Sequence, residues 1–513
     1  MSFSYPTESL REFDRRMDAS GKCGVEQLMR LAGAAVAEAV ESLRSQREGD
    51  KCTVVLVGKG NNGGDALVAA SMLHNAGWAV QLVLAVPPEE LAPLPRRIWE
   101  ELPETLRAHV RTGLPENALQ SSSLSRAMIL DGLLGTGFDG GRPREALASL
   151  IEAANASGLP ILSIDLPSGL NGDTGKAELC IQATATVCLC AVKTGLLHNQ
   201  GVAASGRLIL APLPGDALHE KLPRGPEVFD ETDARKILPR ISFDAHKFQR
   251  GMVTVLGGSR QYGGAPILAG SAALHVGAGL VQVVLPGRCE TFCQAPQALI
   301  VRRLPDTGAD VLDAAILPSL HGLLARSNAL AVGPGMTHSP ALLPVLAELL
   351  GLDKPMVLDA DALNLLATCP ALLAHDRPAP TILTPHAGEF ARLQKAFGIS
   401  PDCDRAKDAL TLAERTGCVV VLKGARTVVA SPGGSFSYNL SGCAALATAG
   451  SGDVLTGVIS ALLANGLKAE DAARIGVWLH GAAAERATRP GAPVGLIADE
   501  LPLFIRQTLA EMY

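Results

Sequence analysis

A glycine-rich turn that leads into an aspartate is the segment of this sequence with the clearest chemical use. Ala449–Gly452 precedes Asp453, and apolar residues at helical spacing follow. The first turn of a helix has unpaired backbone N–H groups, and its dipole favours negative charge. Glycines let that backbone close around an anion, so the turn predicts a phosphate site in which Asp453 takes a proton from an attacking hydroxyl. The competing interpretation is a Gly/Asp N-cap on a core helix.

Polar runs also follow three apolar segments of the first half. The ligand sites of open α/β sheets lie beyond the carboxyl ends of the strands, so we expect these runs to converge. Asn62, Asp131 and Ser168 offer only oxygen ligands, which suit a hard cation, and Asp165 then remains as a carboxylate for proton chemistry. The runs are Gly58-Lys59-Gly60-Asn61-Asn62-Gly63-Gly64-Asp65, Asp131 with Gly135-Thr136-Gly137-Phe138-Asp139-Gly140-Gly141, and Asp165-Leu166-Pro167-Ser168-Gly169.

The first of these runs could bind a pyrophosphate through its glycines and N–H groups. It has neither the Walker lysine with Ser/Thr nor the GxGxxG order, so it matches neither fingerprint. Lys193 follows another apolar strand and is either a phosphate partner or a solvated strand-end lysine.

The second half has further clusters that accompany the Asp453 turn. Lys423 could neutralise phosphate, and Gly424 would let a nucleotide approach the backbone. Asp359, Asp361 and Glu389 are candidate magnesium ligands. The clusters are Gly257–Ser259 with Gly263–Ala265, Gly333–Gly335, Leu358–Asn364, Thr384–Phe390, and Lys423-Gly424-Ala425-Arg426-Thr427.

Short apolar segments alternate with helical ones along both halves, which predicts parallel sheets covered on both faces. Val25 to Leu43 has helical spacing, and a helix is expected to begin near Ala66. Residues 212–228 hold four prolines and divide the chain into two domains. The predicted strands are 53–58, 80–86, 128–133, 160–169 and 184–190 in the first half, and 252–259, 280–286, 329–335, 355–363, 381–386 and 418–424 in the second.

The composition excludes several classes of protein. The chain has 513 residues, 47% of them hydrophobic, and a net charge of -6 with no long run of one sign, which gives no nucleic-acid footprint. No apolar run reaches the length of a membrane span, and the charged N-terminus shows no secretory signal. The 11 scattered cysteines indicate small core residues in a reducing compartment. We therefore expect a cytoplasmic, homo-oligomeric protein without nucleic-acid or membrane partners.

The first half resembles the NAD(P)H-hydrate epimerases, which interconvert the R and S forms of hydrated NAD(P)H. The resemblance spans residues 8–212 and lies in GNNGGD, DGLLGTG, DLPSG and the opening helix LMRLAG. It implies a Rossmann-like three-layer domain in which Asn61–Asp65 and Gly135–Gly141 hold the dinucleotide. It also implies that Asp165 lies in the substrate site and that Asn62, Asp131 and Ser168 bind potassium. Asp139 departs from the small or basic residue often found in that loop.

The second half resembles the ribokinase-like superfamily, and within it the ADP- or ATP-dependent NAD(P)H-hydrate dehydratases. LDADALN, TPHAGEF and LATAGSGDVLTG carry the resemblance over residues 228–510. It implies a three-layer α/β/α domain in which Asp453 is the base, with magnesium bound beside ADP or ATP. By resemblance, Ala265, Gly335, His386 and Asp453 contact the hydrated nucleotide, and Lys423–Thr427 and Gly452 hold the adenine nucleotide.

Together the resemblances imply a bifunctional repair enzyme for NADHX and NADPHX, with an epimerase domain (1–215) and an ADP-dependent dehydratase domain (225–513). The dehydratase would phosphorylate the C6 hydroxyl of the S form and then eliminate phosphate. The alternative is a ribokinase-like kinase of a vitamin precursor with a non-catalytic N-terminal binding module. A fused epimerase would supply the dehydratase with its usable stereoisomer, whereas a kinase leaves the first domain without a role.

Overall fold

The computed structural model divides the chain into two compact units. One unit holds residues 3–227, and the other holds residues 228–488 together with the C-terminal segment. The structure describes residues 2–21, 23–45, 51–108, 110–113, 126–213, 221–289, 295–304, 308–373, 377–402, 404–488 and 494–513.

The N-terminal unit alternates strands and helices along most of its length. Its strands are β1 (Ser2–Tyr5), β2 (Cys52–Val57), β3 (Ala79–Leu84), β4 (Arg111–Thr112), β5 (Met128–Gly132), β6 (Ile161–Ile164), β7 (Ala185–Leu189), β8 (Val192–Lys193) and β9 (Arg207–Ala211). Its helices are α1 (Thr7–Ser20), α2 (Val25–Ser45), α3 (Asn61–Asn75), α4 (Pro93–Glu101), α5 (Glu104–Arg107), α6 (Glu145–Ala156) and α7 (Gly201–Ala204).

A parallel sheet of order β4-β3-β2-β5-β6-β7-β9 forms the middle layer of this unit. Residues of β2 alternate between its two faces. Val55 and Val57 pack into the core that contains α2 and α3, whereas Val54 and Leu56 pack into the core that contains α6. Both faces are therefore covered, as an all-parallel sheet requires. Strands β1 and β8 form a separate short parallel pair, in which Tyr5 lies beside Lys193.

The C-terminal unit is a larger α/β assembly. Its strands are β10 (Glu227–Phe229), β11 (Met252–Leu256), β12 (Leu280–Leu285), β13 (Ile300–Arg303), β14 (Ala329–Val332), β15 (Met356–Leu358), β16 (Thr381–Leu383), β17 (Val419–Leu422), β18 (Val428–Ala430) and β19 (Phe436–Asn439). Its helices are α8 (Glu231–Ile237), α9 (Gly264–Val276), α10 (Leu317–Leu324), α11 (Leu343–Leu350), α12 (Asp361–Thr368), α13 (Ala387–Ala396), α14 (Arg405–Thr416), α15 (Ser451–Ala464), α16 (Ala469–Ala487) and α17 (Leu501–Ala510).

Its sheet runs in the order β13-β12-β11-β14-β15-β16-β17 with parallel pairing, and antiparallel β18 and β19 extend it. Val419 and Val421 of β17 belong to the core built with α9, α15 and α16, and the intervening Val420 is also fully buried. Helix α15 lies so close to α9 that a Cβ on Gly457 would be 1.9 Å from the Ala269 carbonyl oxygen. This packing fixes the start of α15, where Asp453 lies.

The predicted class, two α/β domains with parallel sheets, is confirmed, but several element boundaries were wrong; the strand expected over 160–169, for example, ends at Ile164. Helix α3 begins at Asn61 and not near Ala66, so the polar run forms its first turn. The strand expected over 355–363 ends at Leu358, and α12 begins at Asp361. The antiparallel edge of the second sheet was not expected. Within the described residues, no helix is long and apolar enough to span a bilayer.

Candidate active sites

A cavity of about 570 Å³ opens in the N-terminal unit at the carboxyl ends of its strands. The predicted residues that line it are Asn61, Asn62, Asp65, Gly135, Thr136, Gly137 and Asp165. Residues from outside the predicted motifs also line it, notably Arg11 and Asp14 of α1 and Lys193. The polar runs that the sequence places at separate strand ends thus meet around one space.

The other predicted residues of this site do not line the cavity. Gly63 and Gly64 are buried because α3 packs closely against its neighbours. A Cβ on Gly63 would lie 2.0 Å from the Gly58 carbonyl oxygen, and one on Gly64 would lie 2.5 Å from Met29 Sδ. The far end of the second run, Phe138–Gly141, does not line the cavity. There the Asp139 carboxylate accepts a hydrogen bond from the Gly141 N–H at 3.0 Å.

Asp165 forms a buried ion pair with Lys193. Its backbone has the left-handed φ of 68°, and its Oδ1 accepts from Lys193 Nζ and from the Leu189 N–H. Lys193 Nζ also donates to the carbonyls of Leu189 at 2.8 Å and Ala191 at 3.2 Å, which completes its three donors. Burial lowers the pKa of Lys193, but the charge of Asp165, the hydrogen bond to it, and Cys188 and Cys190 together raise the pKa above its ordinary value. Lys193 is therefore neither a solvated strand-end lysine nor a ready phosphate partner, and Asp165 is not an unpaired carboxylate.

The three residues expected to bind potassium, Asn62, Asp131 and Ser168, belong to one hydrogen-bond network. The Asp131 carboxylate accepts from Ser163 Oγ at 2.7 Å, the Ser168 N–H at 3.0 Å and Ser168 Oγ at 2.5 Å. The Ser168 hydroxyl also accepts from the Leu134 N–H, and Asn62 Nδ2 donates to the Leu134 carbonyl. Burial raises the pKa of Asp131, and these hydrogen bonds oppose the rise.

The Asp131 site is suited to a monovalent cation. Among the described residues, Asp131 makes no ion pair with a lysine, arginine or histidine, although it is fully buried. A buried charge without a counter-ion is costly, and the neutral oxygens near it are the Ser168 hydroxyl and, bonded to that hydroxyl, the Leu134 carbonyl. The described residues hold no group of three His, Cys, Asp or Glu side chains that could bind a transition metal.

In the C-terminal unit, the Asp453 turn is the start of α15. Gly450 has a φ of 88° and is the N-cap, so Ser451, Gly452 and Asp453 form the first turn. From α16, His480 Nε2 donates to the Ser451 carbonyl at 2.9 Å, and the Ser451 hydroxyl donates to the Leu446 carbonyl at 2.8 Å. Burial lowers the pKa of His480 to about 4, so the imidazole is neutral at pH 7. These two hydrogen bonds hold the first turn of α15 in place.

A second buried lysine–carboxylate pair lies beside this turn. Lys423 Nζ contacts Asp359 Oδ1 at 2.8 Å, and Thr456 Oγ1 of α15 donates to Asp359 Oδ2 at 2.7 Å. A Cβ on Gly452 would lie 3.2 Å from Lys423 Nζ, so the ammonium lies directly against the helix N-terminus. Burial lowers the pKa of Lys423, but Asp359 and Glu389 raise it by more.

Asp453 is a carboxyl with a strongly shifted pKa. Burial raises its pKa to about 7, Asp359, Asp361 and Glu389 add to the rise, and Lys423 opposes it. A general base is most effective when its pKa lies near the working pH. Asp453 therefore has the protonation behaviour that proton abstraction requires.

His386 is the N-cap of α13. Its Nδ1 accepts from the Gly388 N–H at 2.9 Å, and its own backbone N–H donates to Glu389 Oε2 at 2.9 Å. The side chain of His386 is largely exposed, and burial of the remainder together with Lys423 and Arg392 lowers its pKa. Because Nδ1 accepts, the neutral ring carries its proton on Nε2, where it can donate to a ligand.

The remaining predicted positions differ in accessibility. Gly335 has a φ of 68°, and a Cβ there would lie 2.5 Å from the Tyr262 carbonyl, so the Gly-Pro-Gly turn needs glycine. Ala265 is partly buried in the first turn of α9. Gly424 has a φ of 144° and faces Arg405, which donates to the Ala425 carbonyl at 2.8 Å. Of the Lys423–Thr427 run, Ala425 is exposed, Thr427 Oγ1 donates to the Gly424 carbonyl, and Arg426 is buried.

The candidate magnesium ligands are engaged by protein groups. Asp359 pairs with Lys423, and Asp361 Oδ2 accepts from the Thr337 N–H at 2.8 Å. Burial raises the pKa of Glu389 to about 7. Magnesium commonly reaches such sites on substrate phosphates and keeps several waters, so few protein ligands are needed. The arrangement fits an ion carried by the nucleotide better than one held by the protein alone.

Five functional candidates were not recognised in the sequence: Arg11, Asp14, Arg405, Thr456 and His480. Arg11 and Asp14 lie on α1, which no motif marks. Leu10, Phe13 and Met17 have helical spacing and are buried, so the helix itself was detectable. Which polar residues of that helix face the cavity depends on its packing, which spacing alone does not give.

Two family models define the class of protein. The model described as NAD(P)H-hydrate dehydratase matches residues 253–503, and the model described as YjeF-related protein N-terminus matches residues 25–195. The chain thus joins, in this order, an N-terminal domain of the second family to a dehydratase-type domain of the first.

Full-length relatives identify the family. The bifunctional NAD(P)H-hydrate repair enzyme Nnr of Moorella thermoacetica is 36% identical over 498 residues, covering 94% of this chain and 92% of the relative. The enzyme of the same name from Gloeobacter violaceus is 37% identical over 503 residues, covering 95% and 94%. This chain belongs to the bifunctional NAD(P)H-hydrate repair enzyme family, which disfavours the vitamin-precursor kinase.

Several solved structures match part of the chain, among them one that carries a dehydratase name. It is the crystal structure of ADP/ATP-dependent NAD(P)H-hydrate dehydratase from Bacillus subtilis co-crystallized with ATP/Mg2+. The two are 28% identical, the match covers 56% of this chain and 99% of that chain, and the TM-score is 0.44.

Proposed function

We propose that this chain repairs hydrated NADH and NADPH with two activities. Residues 1–215 form an epimerase domain that interconverts the R and S hydrates, and residues 225–513 form a dehydratase domain that converts the S hydrate to NAD(P)H. Family membership supports the pairing. The observation that carries it is that one chain holds two sites, each with a carboxylate at the carboxyl edge of a parallel sheet and a buried lysine beside it.

In the dehydratase domain, Asp453 takes the proton from the C6 hydroxyl of the S hydrate. The hydroxyl oxygen forms a bond to the terminal phosphorus of ADP or ATP, and the remaining nucleotide leaves. The C6–O bond then breaks and phosphate leaves with its electron pair, while C5 gives up a proton to water as the C5=C6 double bond of the ring forms again. The N–H groups at Ala449–Gly452 and the Lys423 ammonium face the developing charge, which is the main task of a site for phosphoryl transfer.

Substrate contacts in this domain follow from the same placement. Ala265, Gly335 and His386 contact the hydrated nucleotide, with His386 Nε2 as a hydrogen-bond donor. Lys423–Thr427 and Gly452 bind the adenine nucleotide, with ADP as the physiological donor. Magnesium would arrive with the nucleotide and screen the phosphate charges.

In the epimerase domain, Asn61–Asp65 and Gly135–Gly141 bind the dinucleotide, and Asp165 acts at the hydrated ring. Asn62, Asp131 and Ser168 hold potassium, which would neutralise the buried Asp131 carboxylate and stabilise the loops at Leu134 and Ser168.

We place the protein in the cytoplasm as a homo-oligomer. Its described cysteines are free, as a reducing compartment requires.

The test is recovery of reduced-nicotinamide absorbance from a racemic mixture of hydrated NADH, with magnesium and either ADP or ATP. Conversion of both stereoisomers is expected, and the effective nucleotide identifies the phosphoryl donor. Conversion that stops at half would contradict the epimerase assignment, and no recovery with either nucleotide would contradict both.

Potassium is tested in the same assay. Replacing potassium by a bulky organic cation should stop conversion at half, because only the epimerase depends on it. Asp131→Asn should abolish the effect of added potassium. An unchanged time course without potassium would contradict the assignment of Asn62, Asp131 and Ser168.

A further inference from the structure

The cavity of the N-terminal unit holds more carboxyl groups than one acid–base residue requires. Asp14, Asp65 and Asp165 all line it, together with the cationic side chains of Arg11, Lys59 and Lys193. Lys193 is committed to Asp165 and to two backbone carbonyls. Among the described residues, neither Asp14 nor Asp65 forms an ion pair with a lysine or arginine, although both share this space with Asp165.

The negative charges in this cluster favour protonation of one of its carboxyl groups. Like charges at short range disfavour each other's ionised form, so one of several neighbouring carboxyls is protonated more readily than in water. Burial raises the pKa of Asp65 well above its ordinary value, and Asp165 and Asp14 add to the rise. Partial desolvation of Asp14 at the cavity and the Asp165 charge together raise its pKa to about 6, and Lys193 opposes this rise.

Accessibility distinguishes the two candidates. Asp65 is buried, with 8% of its surface exposed, so its proton is poorly placed to reach a ligand. Asp14 keeps an exposed surface, and that surface lines the cavity. Its helix is fixed on both sides: Phe13 and Met17 are buried in the local core, and Arg11 donates to the Thr136 carbonyl. Asp14 is thus an accessible carboxyl on a rigid support.

We propose that Asp14 is a catalytic residue of the epimerase, the group that gives a proton to the C6 hydroxyl of the hydrate and later takes one back. The proposal rests on the proposed function of this domain. C6 carries the hydroxyl and is bonded to the ring nitrogen, so inversion requires that one of these bonds breaks and forms again on the other face. Asp14 supplies the proton for the first route.

The step balances without a co-reactant. The Asp14 proton passes to the hydroxyl oxygen, the C6–O bond breaks and water leaves, while the ring nitrogen lone pair forms a C6=N bond. Water then adds to the opposite face of C6, the nitrogen recovers its electron pair, and the surplus proton returns to Asp14. The Asp165 carboxylate, held by Lys193, stabilises the positive ring formed between the two events.

The first experiment compares Asp14→Asn with Asp18→Asn in the full chain. Both substitutions lie on α1, but Asp18 does not line the cavity. Pure S-NADHX is incubated with potassium and without ADP or ATP, so that dehydration is blocked, and the R form is measured by chromatography. We expect Asp14→Asn to lower the enzymatic rate by about 100-fold or more, the usual effect of losing a general acid–base. Asp18→Asn should match the wild type, and Asp14→Glu should recover part of the activity.

Dehydration of S-NADHX with ADP serves as the folding control, because it occurs in the other unit. Equal epimerisation by Asp14→Asn and wild type would overturn the role of Asp14. A wild type that fails to epimerise would instead overturn the proposed function. A second measurement uses water enriched in the heavy oxygen isotope: label in the C6 hydroxyl of the R product supports cleavage of the C6–O bond, and an unlabelled product overturns it.

Discussion

The two sites of this chain use the same pair of residue types differently. In the N-terminal unit, the buried lysine binds Asp165, the carboxylate to which we assign chemistry. In the C-terminal unit, Lys423 binds Asp359. The proposed base, Asp453, is a third group, and the charges of this pair shift its pKa. In the first site the lysine therefore holds the reacting carboxylate itself, whereas in the second site the lysine holds a neighbour, and the pKa of the reacting carboxyl, Asp453, is raised to about 7.

This difference matches the two proposed reactions. Epimerisation needs a stable negative charge beside a transient cation, together with a separate proton carrier. Phosphoryl transfer needs a base that releases its proton afterwards and a cation for the phosphate. One arrangement therefore divides the tasks between Asp165 and Asp14, and the other assigns the proton to Asp453 and the charge to Lys423.

The largest expected effect is a loss of dehydration without a loss of nucleotide binding when the proposed base is replaced. Asp453→Asn should lower dehydration of S-NADHX by about 10²- to 10⁴-fold, the usual range for a lost general base. ADP binding measured by calorimetry should remain, because the helix N-terminus and Lys423 are unchanged. Epimerisation should also be normal. A variant that dehydrates at the wild-type rate would show that Asp453 is not the base.

Replacing the lysine of the first site should lower the free energy of unfolding. Lys193→Met leaves Asp165 unpaired in a buried position, and losing one member of a buried ion pair costs about 3–5 kcal/mol. The free energy of unfolding of the N-terminal unit, measured with urea, should fall accordingly, and epimerisation should be lost. The double variant Lys193→Met/Asp165→Asn should recover stability but not activity. Equal stability of the single and double variants would exclude the ion pair as the cause.

Alanine substitutions at two glycines of α15 should have different effects, one on stability and the other on ADP binding. A Cβ on Gly457 would lie 1.9 Å from the Ala269 carbonyl, so Gly457→Ala should destabilise the C-terminal unit by about 1–3 kcal/mol through overpacking. A Cβ on Gly452 would meet only Lys423 Nζ at 3.2 Å and Asp359 Oδ2 at 3.8 Å. Gly452→Ala should keep its melting temperature and raise the KM for ADP. The reverse pattern would contradict the phosphate site at this turn.

The smallest effect concerns pH. Asp453 acts as a base only when deprotonated, so kcat/KM for the hydrate at saturating ADP should fall as the pH drops through about 7. Asp361 raises the pKa of Asp453 and Lys423 lowers it. Asp361→Asn should therefore move the midpoint of this fall in kcat/KM to lower pH, and Lys423→Met should move the midpoint to higher pH. Shifts in the same direction would contradict the electrostatic account.

The sequence was sufficient for the fold class because hydrophobic periodicity and glycine-rich strand ends are local signals. Val419 to Leu422, for example, form a continuous apolar run that only a strand buried on both faces explains. The sequence also predicted that Asn62, Asp131 and Ser168 converge, since parallel strands end at one edge. Their hydrogen bonds through Asp131 are consistent with that expectation.

Partners that depend on three-dimensional packing were not predictable in this way. Lys193 precedes a short turn and could face solvent or core, and only its place beside β6 brings it to Asp165. Asp14 lies on a helix with no motif, and its position relative to Asp165 depends on how Phe13 packs. The start of α3 at Asn61 was missed because two glycines follow, which sequence rules place in loops rather than helices.

The most direct test of the central claim, two independent sites with complementary tasks, is conversion of racemic NADHX by Asp165→Ala, by Asp453→Asn and by their mixture, with ADP, magnesium and potassium. The account predicts that Asp165→Ala stops at half and that Asp453→Asn recovers almost no NADH. The mixture should convert all of the substrate, because each variant keeps the activity that the other lacks. A mixture that also stops at half would contradict the account.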